Sequence, residues 1–505
     1  MYNGRKKNLS VIMALLFVVT LCMPGCTAVD NTSLLPPVTY DGSVTLQVLI
    51  DNDTISRFDC VLYEISKEFE DNYPNVEVEI LRLDTYKAQF NSWEELQAEI
   101  KSGNGPDIFI LNADNHPGRD LDKLLFPDVN KAMREGQFAN LSMYYDYDRE
   151  LDTAGLRQEV MDAGVVDGFR YTLPLTYDFP VMFVNRDELK YLQLDEDIFE
   201  EGVVSVMDAL VELGDQDLAK SANFFEFRYL FNFFPDLVDY DTGHVTLDRE
   251  EMITFLESFL AFKQLKGFGF GPYNQDAPDF HGLTSSSIFH TDTWANLNLA
   301  MRAGWSLGDV IVETVSAQVT DMDMEVYPLT GLDGQIVAEV RQFGAINYGC
   351  DNVGLAYEFL REMLTERMQW LQTDFEYENM WEGGLRNSRH IIQGFPVRTE
   401  GAVTTLYDNM KADLEYTMLF DTDEHLRQRL LDLKLKDKDI PVLKDDLGVV
   451  RYPTAGIEWE FTTNEIIIPF EQAGYDPSAV DIETAVDTLI AELELYMWAE
   501  QPGAY

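Results

Sequence analysis

Between Val44 and Leu111 the chain changes its apolar period from one element to the next, and this alternation constrains the fold more than any other feature. "VTLQVLI" puts Val44, Leu46, Val48 and Ile50 on one side at the two-residue period of a strand, after which Phe58, Val61, Leu62, Ile65 and Phe69 recur at helical spacing. "NVEVEIL" returns to strand alternation through Val76, Val78 and Ile80. "SWEELQAEIKSGNG" opens on a capping box from Ser92 to Glu95, keeps Trp93, Leu96 and Ile100 on one face, and stops at Gly103 and Gly105. "PDIFIL", Pro106 to Leu111, is an uninterrupted apolar run, the pattern of a parallel strand covered on both faces. Strand, helix, strand, helix, strand predicts an α/β domain. Its ligands would meet the loops beyond the strands' carboxyl ends, here 51–54 and 112–116.

A chain of 505 residues exceeds one ordinary core, so two or three domains are expected. Further along, "LAYEFLREMLTERMQWL" predicts one long helix with Leu355, Phe359, Met363 and Met368 near a single stripe. No internal repeat is present.

The opening "MYNGRKKNLSVIMALLFVVTLCMPGC" sets Arg5, Lys6 and Lys7 before an apolar run and ends in small residues, the layout of a secretory signal over 1–25. The run is short for a membrane span. Met23-Pro24-Gly25-Cys26 resembles a bacterial lipobox, which implies cleavage and lipid attachment at Cys26; an uncleaved anchor and an ordinary cleaved signal are the other readings. Each puts the bulk of the chain outside the cytoplasm. Residues 26–43, poor in periodicity and interrupted by Pro36-Pro37, read as a flexible tether. Cys60 and Cys350 are then the only cysteines of the folded body, either bridged or as two buried thiols.

Charge narrows the partners. With 89 acidic against 37 basic residues the formal net charge is −52, which disfavours nucleic acid. The acids are dispersed, as in a solvated surface, and name no ligand.

Four stretches together resemble the extracellular solute-binding lipoproteins of bacterial ABC importers, of the maltose-binding-protein-like type that takes sugars and oligosaccharides. "FEDNYPNVEVEI" with "SGNGPDIFIL" resembles the family's first strand–helix units. "GFRYTLPLTYDFPVMFVNRDEL", Gly168 to Leu189, is similar to the segment that leaves one lobe for the other. "VYPLTGLDGQ" through "FGAINYGCDNVGLAYEFLREMLTERMQ" resembles the return, and "GFPVRTEGA" and "AELELYMWAEQ" resemble the later segments. The stretches follow the family's order over nearly the whole mature chain, while 405–465 matches nothing in it. The resemblance implies a two-lobed periplasmic-binding-protein-like α/β fold with a hinge between the lobes: 44–178 plus about 341–400 as lobe 1, and 179–340 plus about 401–505 as lobe 2. It implies capture of a carbohydrate, delivery to ABC transporter permease subunits, no catalysis and no cofactor, by a monomer held at the extracellular face of the membrane by its lipid.

Sugars present hydroxyl edges and weakly polar C–H faces, so a site needs carboxylates or amides and flat aromatic platforms. Asp53, Asn112 and Asp114 stand after the first and third strands, and Tyr177-Asp178 offers a ring and a carboxylate in the crossing segment. Trp294 and Trp381 are the candidate platforms, with Trp305 and Arg386 as second choices. Loop and capping roles explain the Asp and Asn residues equally, and core packing the tryptophans. The loops 51–54, 112–116 and 176–178 contain no Lys or Arg, so a neutral sugar is expected to be preferred over an anionic one.

Two other classes compete. An extracellular glycoside hydrolase needs a carboxylate pair, which so acidic a chain can always supply, but no G-x-S-x-G and no H-E-x-x-H is present. A metal- or peptide-binding member of the same transport class is the closer alternative, since "DTDEH", Asp421 to His425, gathers oxygen donors and an imidazole; an exposed acidic turn explains that stretch more simply, and no metal site is expected.

Overall fold

The apolar periods fold as their spacing requires. In the computed structural model, which describes residues 38, 40, 42–51, 62–63, 65–113, 124–214, 222–223, 227–265, 301–304, 307–369, 394–408 and 424–499, β1 (Val44–Ile50) pairs in parallel with β2 (Val76–Arg82), Val44 opposite Val76. β3 (Ile108–Asn112) lies parallel on the other side of β1, and all five of its residues are buried, as its continuous apolar run demands. α1 (Trp93–Lys101) precedes it, with Leu96 and Ile100 turned to the core. Ser92 Oγ accepts from the Glu95 amide at 3.2 Å, as a capping box requires. The reciprocal bond is displaced: Glu95 Oε2 accepts from the Asn91 amide at 2.8 Å, one residue earlier than the box.

After α2 (Val129–Arg134) the chain enters β4 (Thr172–Asp178), passes Phe179 and Pro180, and continues at once as β5 (Val181–Asn185) in a second sheet. There β5 joins β6 (Ala222–Asn223), β7 (Met301–Gly304) and β8 (Met324–Pro328) in the order β8-β5-β7-β6. α3 (Arg249–Gln264) and α4 (Leu307–Thr320) lie between these strands in sequence. From β8 the chain returns through 329–336 to the first sheet as β9 (Val337–Ile346), antiparallel to both β3 and β4. β10 (Phe395–Pro396) and β11 (Val449–Arg451) complete that sheet, whose order is β10-β4-β9-β3-β1-β2 with β11 parallel to the start of β9.

The expected long helix is broken. α5 (Val353–Arg361) tightens into a 3-10 turn at Glu362–Leu364, Thr365 is extended, and a last turn runs over Glu366–Gln369. Arg398 Nε takes up the freed Leu364 carbonyl at 3.0 Å.

Two hydrophobic cores result, one per sheet, giving two α/β lobes. The first gathers the strands from β1 to β3 with β4, β9 and α5; the second gathers Met182 and Val184 of β5 with α3 and with α7 (Ile482–Ala499), which follows the shorter α6 (Ala455–Phe461). The partition departs from the expected boundaries at two places. Leu307, Val310, Ile311, Val315 and Val319 of α4 belong to the first core, and so do Ala402, Val403, Leu406, Tyr407, Leu430, Leu435, Val442 and Tyr452, which the expected division gave to lobe 2. The cause is β11: its backbone pairing with β9 carries the described residues between 402 and 452 onto the first sheet, and from Ile457 onward the chain joins the second core. Among the described residues no helix is long and apolar enough to cross a membrane.

Candidate functional site

Because β9 runs antiparallel to β3 and β4, the carboxyl ends of β1, β3 and β4 and the first half of β9 share one edge of the first sheet, the edge at which the chain crosses to the second lobe. Polar side chains collect there: Asp51, Asn112, Thr176, Asp178, Glu339 and Gln342 are all buried. Buried polar groups are costly unless paired, and Asn112 and Gln342 pair with each other, Asp178 with Arg341, and Glu339 with Asn232 and Arg451. Gln342 Nε2 donates to Asn112 Oδ1 at 3.0 Å, the two residues standing opposite each other in the ladder.

A β-bulge sets the next pair. Val340 faces Tyr177 and Gln342 faces Thr176, so Arg341 is the extra residue on β9. A bulge re-aims the side chain it inserts. Here Arg341 Nη1 donates to Asp178 Oδ2, and the Arg341 carbonyl accepts from the Ala113 amide at 2.8 Å, linking the ends of β3 and β4. Gly394, at φ +89°, lies against this pair: a Cβ there would come within 2.5 Å of Asp178 Oδ1 and 2.7 Å of the Tyr177 carbonyl. Its carbonyl accepts from the Leu307 amide at 3.3 Å, so α4 starts beside the same carboxylate.

Of the residues singled out from sequence, Asn112 and Asp178 therefore stand together on this edge. Asp53, Asp114, Trp294 and Trp381 lie outside the described residues, as do Cys26, Cys60, Trp305 and Arg386. Tyr177 is a correction. It is wholly buried, its ring stacked near Phe179 and Phe395 at centroid distances of 6.1 and 5.6 Å, and its hydroxyl accepts from Arg157 Nη1 at 3.1 Å. Burial pushes its phenol pKa up, against the pull of Arg157. As the second residue from the end of a strand covered on both faces, Tyr177 supports the edge from beneath and offers no face for stacking.

The absence of cations expected near the cleft also needs correcting, since the bulge brings Arg341 onto Asp178. Arg341, Gln342 and Arg157 were not anticipated as site residues. The one signal in the sequence is "EVRQ" inside the buried run "VAEVRQFGAI", where charged and amide residues interrupt a strand that is otherwise core. Cys350 is a free thiol beside Asp107, and burial pushes it up to about 12, so it is no nucleophile. Among the described residues no cluster of His, Cys, Asp and Glu has the makings of a metal site.

No family model matches the chain, and no curated protein matches it. Among solved structures it is similar to an ABC substrate-binding protein from Listeria monocytogenes in complex with cycloalternan, at 15% identity over 90% of this chain and 99% of that one, with a TM-score of 0.48. It is also similar to an extracellular solute-binding protein family 1 member from Alicyclobacillus acidocaldarius, at 14% identity over 91% and 100% of the two chains, TM-score 0.49. A third is the ABC transporter solute-binding protein from Thermotoga lettingae bound with α-D-tagatose, at 14% identity over 90% and 100%, TM-score 0.47.

Proposed function

We propose that this chain is a solute-binding protein of an ABC importer, capturing a neutral sugar or oligosaccharide between its lobes and delivering it to the permease subunits outside the cell, tethered by lipid at Cys26. The observation that carries the reading is the polar edge where the chain crosses between lobes: an amide pair, Asn112 with Gln342, next to a carboxylate–guanidinium pair, Asp178 with Arg341, held by a bulge. Amides and paired ions donate and accept hydrogen bonds with no net charge, which suits hydroxyls. An anionic ligand would have to pull Arg341 from Asp178, so neutral ligands keep the advantage even with a cation present. Asp53 and Asp114, each two residues beyond Asp51 and Asn112 in the chain, add acceptors for the same hydroxyls, and Trp294 and Trp381 supply the platforms that Tyr177 does not. The arrangement offers hydrogen-bond acceptors and donors side by side, which suits reversible capture of a hydroxyl-rich ligand.

Calorimetric titration with neutral and acidic oligosaccharides tests this. Neutral sugars should bind, and Asn112→Ala and Gln342→Ala should each weaken binding about tenfold, the loss of one buried hydrogen bond plus its stranded partner. Preference for acidic sugars, binding of peptides or metals alone, or unaltered affinity in both variants would sink the assignment.

A further inference from the structure

Away from the polar edge, a second set of contacts joins the lobes. α2 belongs to the first core through Val129, Ala132 and Met133, and on its other side three charged residues at Asp128, Lys131 and Arg134 share one face by their spacing of three. All three meet the second lobe. Asp128 Oδ2 accepts from Tyr240 Oη and, at 2.6 Å, from Tyr496 Oη; Lys131 Nζ lies 4.6 Å from the centroid of the Tyr496 ring; Arg134 pairs with Asp241 at 2.7 Å and lies 5.3 Å from the Tyr240 ring. Tyr240 and Tyr496 pack with the second core. The carboxylate of Asp128 is buried between lobes that have no covalent need to touch here.

We propose that Asp128, Lys131 and Arg134 form an interlobe clasp with Tyr240, Asp241 and Tyr496, and that protonation of Asp128 tightens it. The clasp regulates the lobe motion of the proposed function but does not depend on which solute is bound. Burial raises the Asp128 pKa above its ordinary 3.8, outweighing the tyrosine hydroxyls, the Lys131 amide and the Lys131 charge, which lower it. Asp236 of the second lobe is a further acid within electrostatic reach, and its repulsion acts in the same direction. The sign follows from linkage: with the pKa raised when the lobes are clasped, the clasped state holds a proton that the released, solvated carboxyl has lost, so acidification favours clasping and neutral pH favours release.

Asp128→Asn mimics the protonated group and preserves the helix cap that Asp128 Oδ1 makes with the Lys131 amide at 2.9 Å, because Asn caps as well as Asp. The test is small-angle scattering of the sugar-free mature chain at about pH 7.5 and about pH 5. Wild type should compact on acidification, Asp128→Asn should be compact at both values, and Tyr240→Phe with Tyr496→Phe should be extended at both. A wild-type profile that does not change with pH, or an Asp128→Asn profile that changes as wild type does, would overturn the clasp. Since no sugar is present, this outcome is independent of the titrations that test the solute-binding reading.

Discussion

A single glycine fixes how closely the crossing strand and the segment leading to β10 approach. Gly394 holds a left-handed φ of +89°, and the space its missing Cβ leaves is filled by Asp178 Oδ1 and the Tyr177 carbonyl. Gly394→Ala therefore meets two penalties at once, backbone strain and a clash with backbone that cannot swing away, each of order 1–3 kcal/mol. The variant should unfold at clearly lower denaturant concentration than wild type, and a midpoint within error of wild type would refute the crowding. Neighbouring Tyr177 is unsuited to a binding test, since Tyr177→Ala would open a cavity in the first core and cost about 3–5 kcal/mol of stability whatever the ligand.

At the scale of elements, β11 has the largest consequence for its length. Its Arg451, with no side-chain exposure, pairs with Glu339 of β9 and with Glu458 of α6 at 2.6 Å, and donates to the Phe231 carbonyl at 3.1 Å, while Asn232 Nδ2 donates to the other Glu339 oxygen at 2.9 Å. Strand, helix and a 3-10 helix of the second lobe, Phe227–Phe233, thus meet on one guanidinium. Removing it leaves two buried carboxylates without their shared cation, so Arg451→Met should cost about 3–5 kcal/mol, and adding Glu339→Gln and Glu458→Gln should recover part of that loss, as read by chemical denaturation. No recovery would mean that packing, not charge, is what Arg451 supplies. The sequence around Arg451 shows only Glu458, seven residues on, and not the cross-lobe role, because Glu339 and the Phe231 carbonyl lie 112 and 220 residues away. The same reason separates what was legible from what was not. β1, β2 and β3 declare themselves through periods only a few residues long, whereas the crossing at Phe179 and Pro180 was legible only through the resemblance of Gly168 to Leu189 to a lobe-crossing segment. The bulge at Arg341, the rings of Phe179 and Phe395 around Tyr177, and the capture of 402–452 by the first sheet all depend on partners brought together only by folding. The place of Asn112 on the polar edge was legible because it follows from standing at a strand end; that of Arg341 was not, because it follows from register.

For the whole molecule, the question is whether two cores behave as one. Each lobe has a core large enough to unfold separately, and chains with several domains commonly show several transitions. Against this stand the hub at Arg451 and the clasp at Asp128, both built from residues of the two lobes. Breaking a buried ion pair is worth about 3–5 kcal/mol, comparable with the lower end of the 5–15 kcal/mol by which a domain is stable, so the loss of one lobe should strip the other of a large share of its stability. At about pH 5, where the clasp is made, the sugar-free wild type should then melt in a single calorimetric transition whose van't Hoff and calorimetric enthalpies agree. Combining Arg451→Met with Tyr240→Phe and Tyr496→Phe should divide it into two, one for each core, while leaving both sheets folded at low temperature by circular dichroism. Two resolved transitions in the wild type would show that the chain crossings link the lobes without coupling them, and a single transition in the triple variant would place the coupling in the crossings themselves.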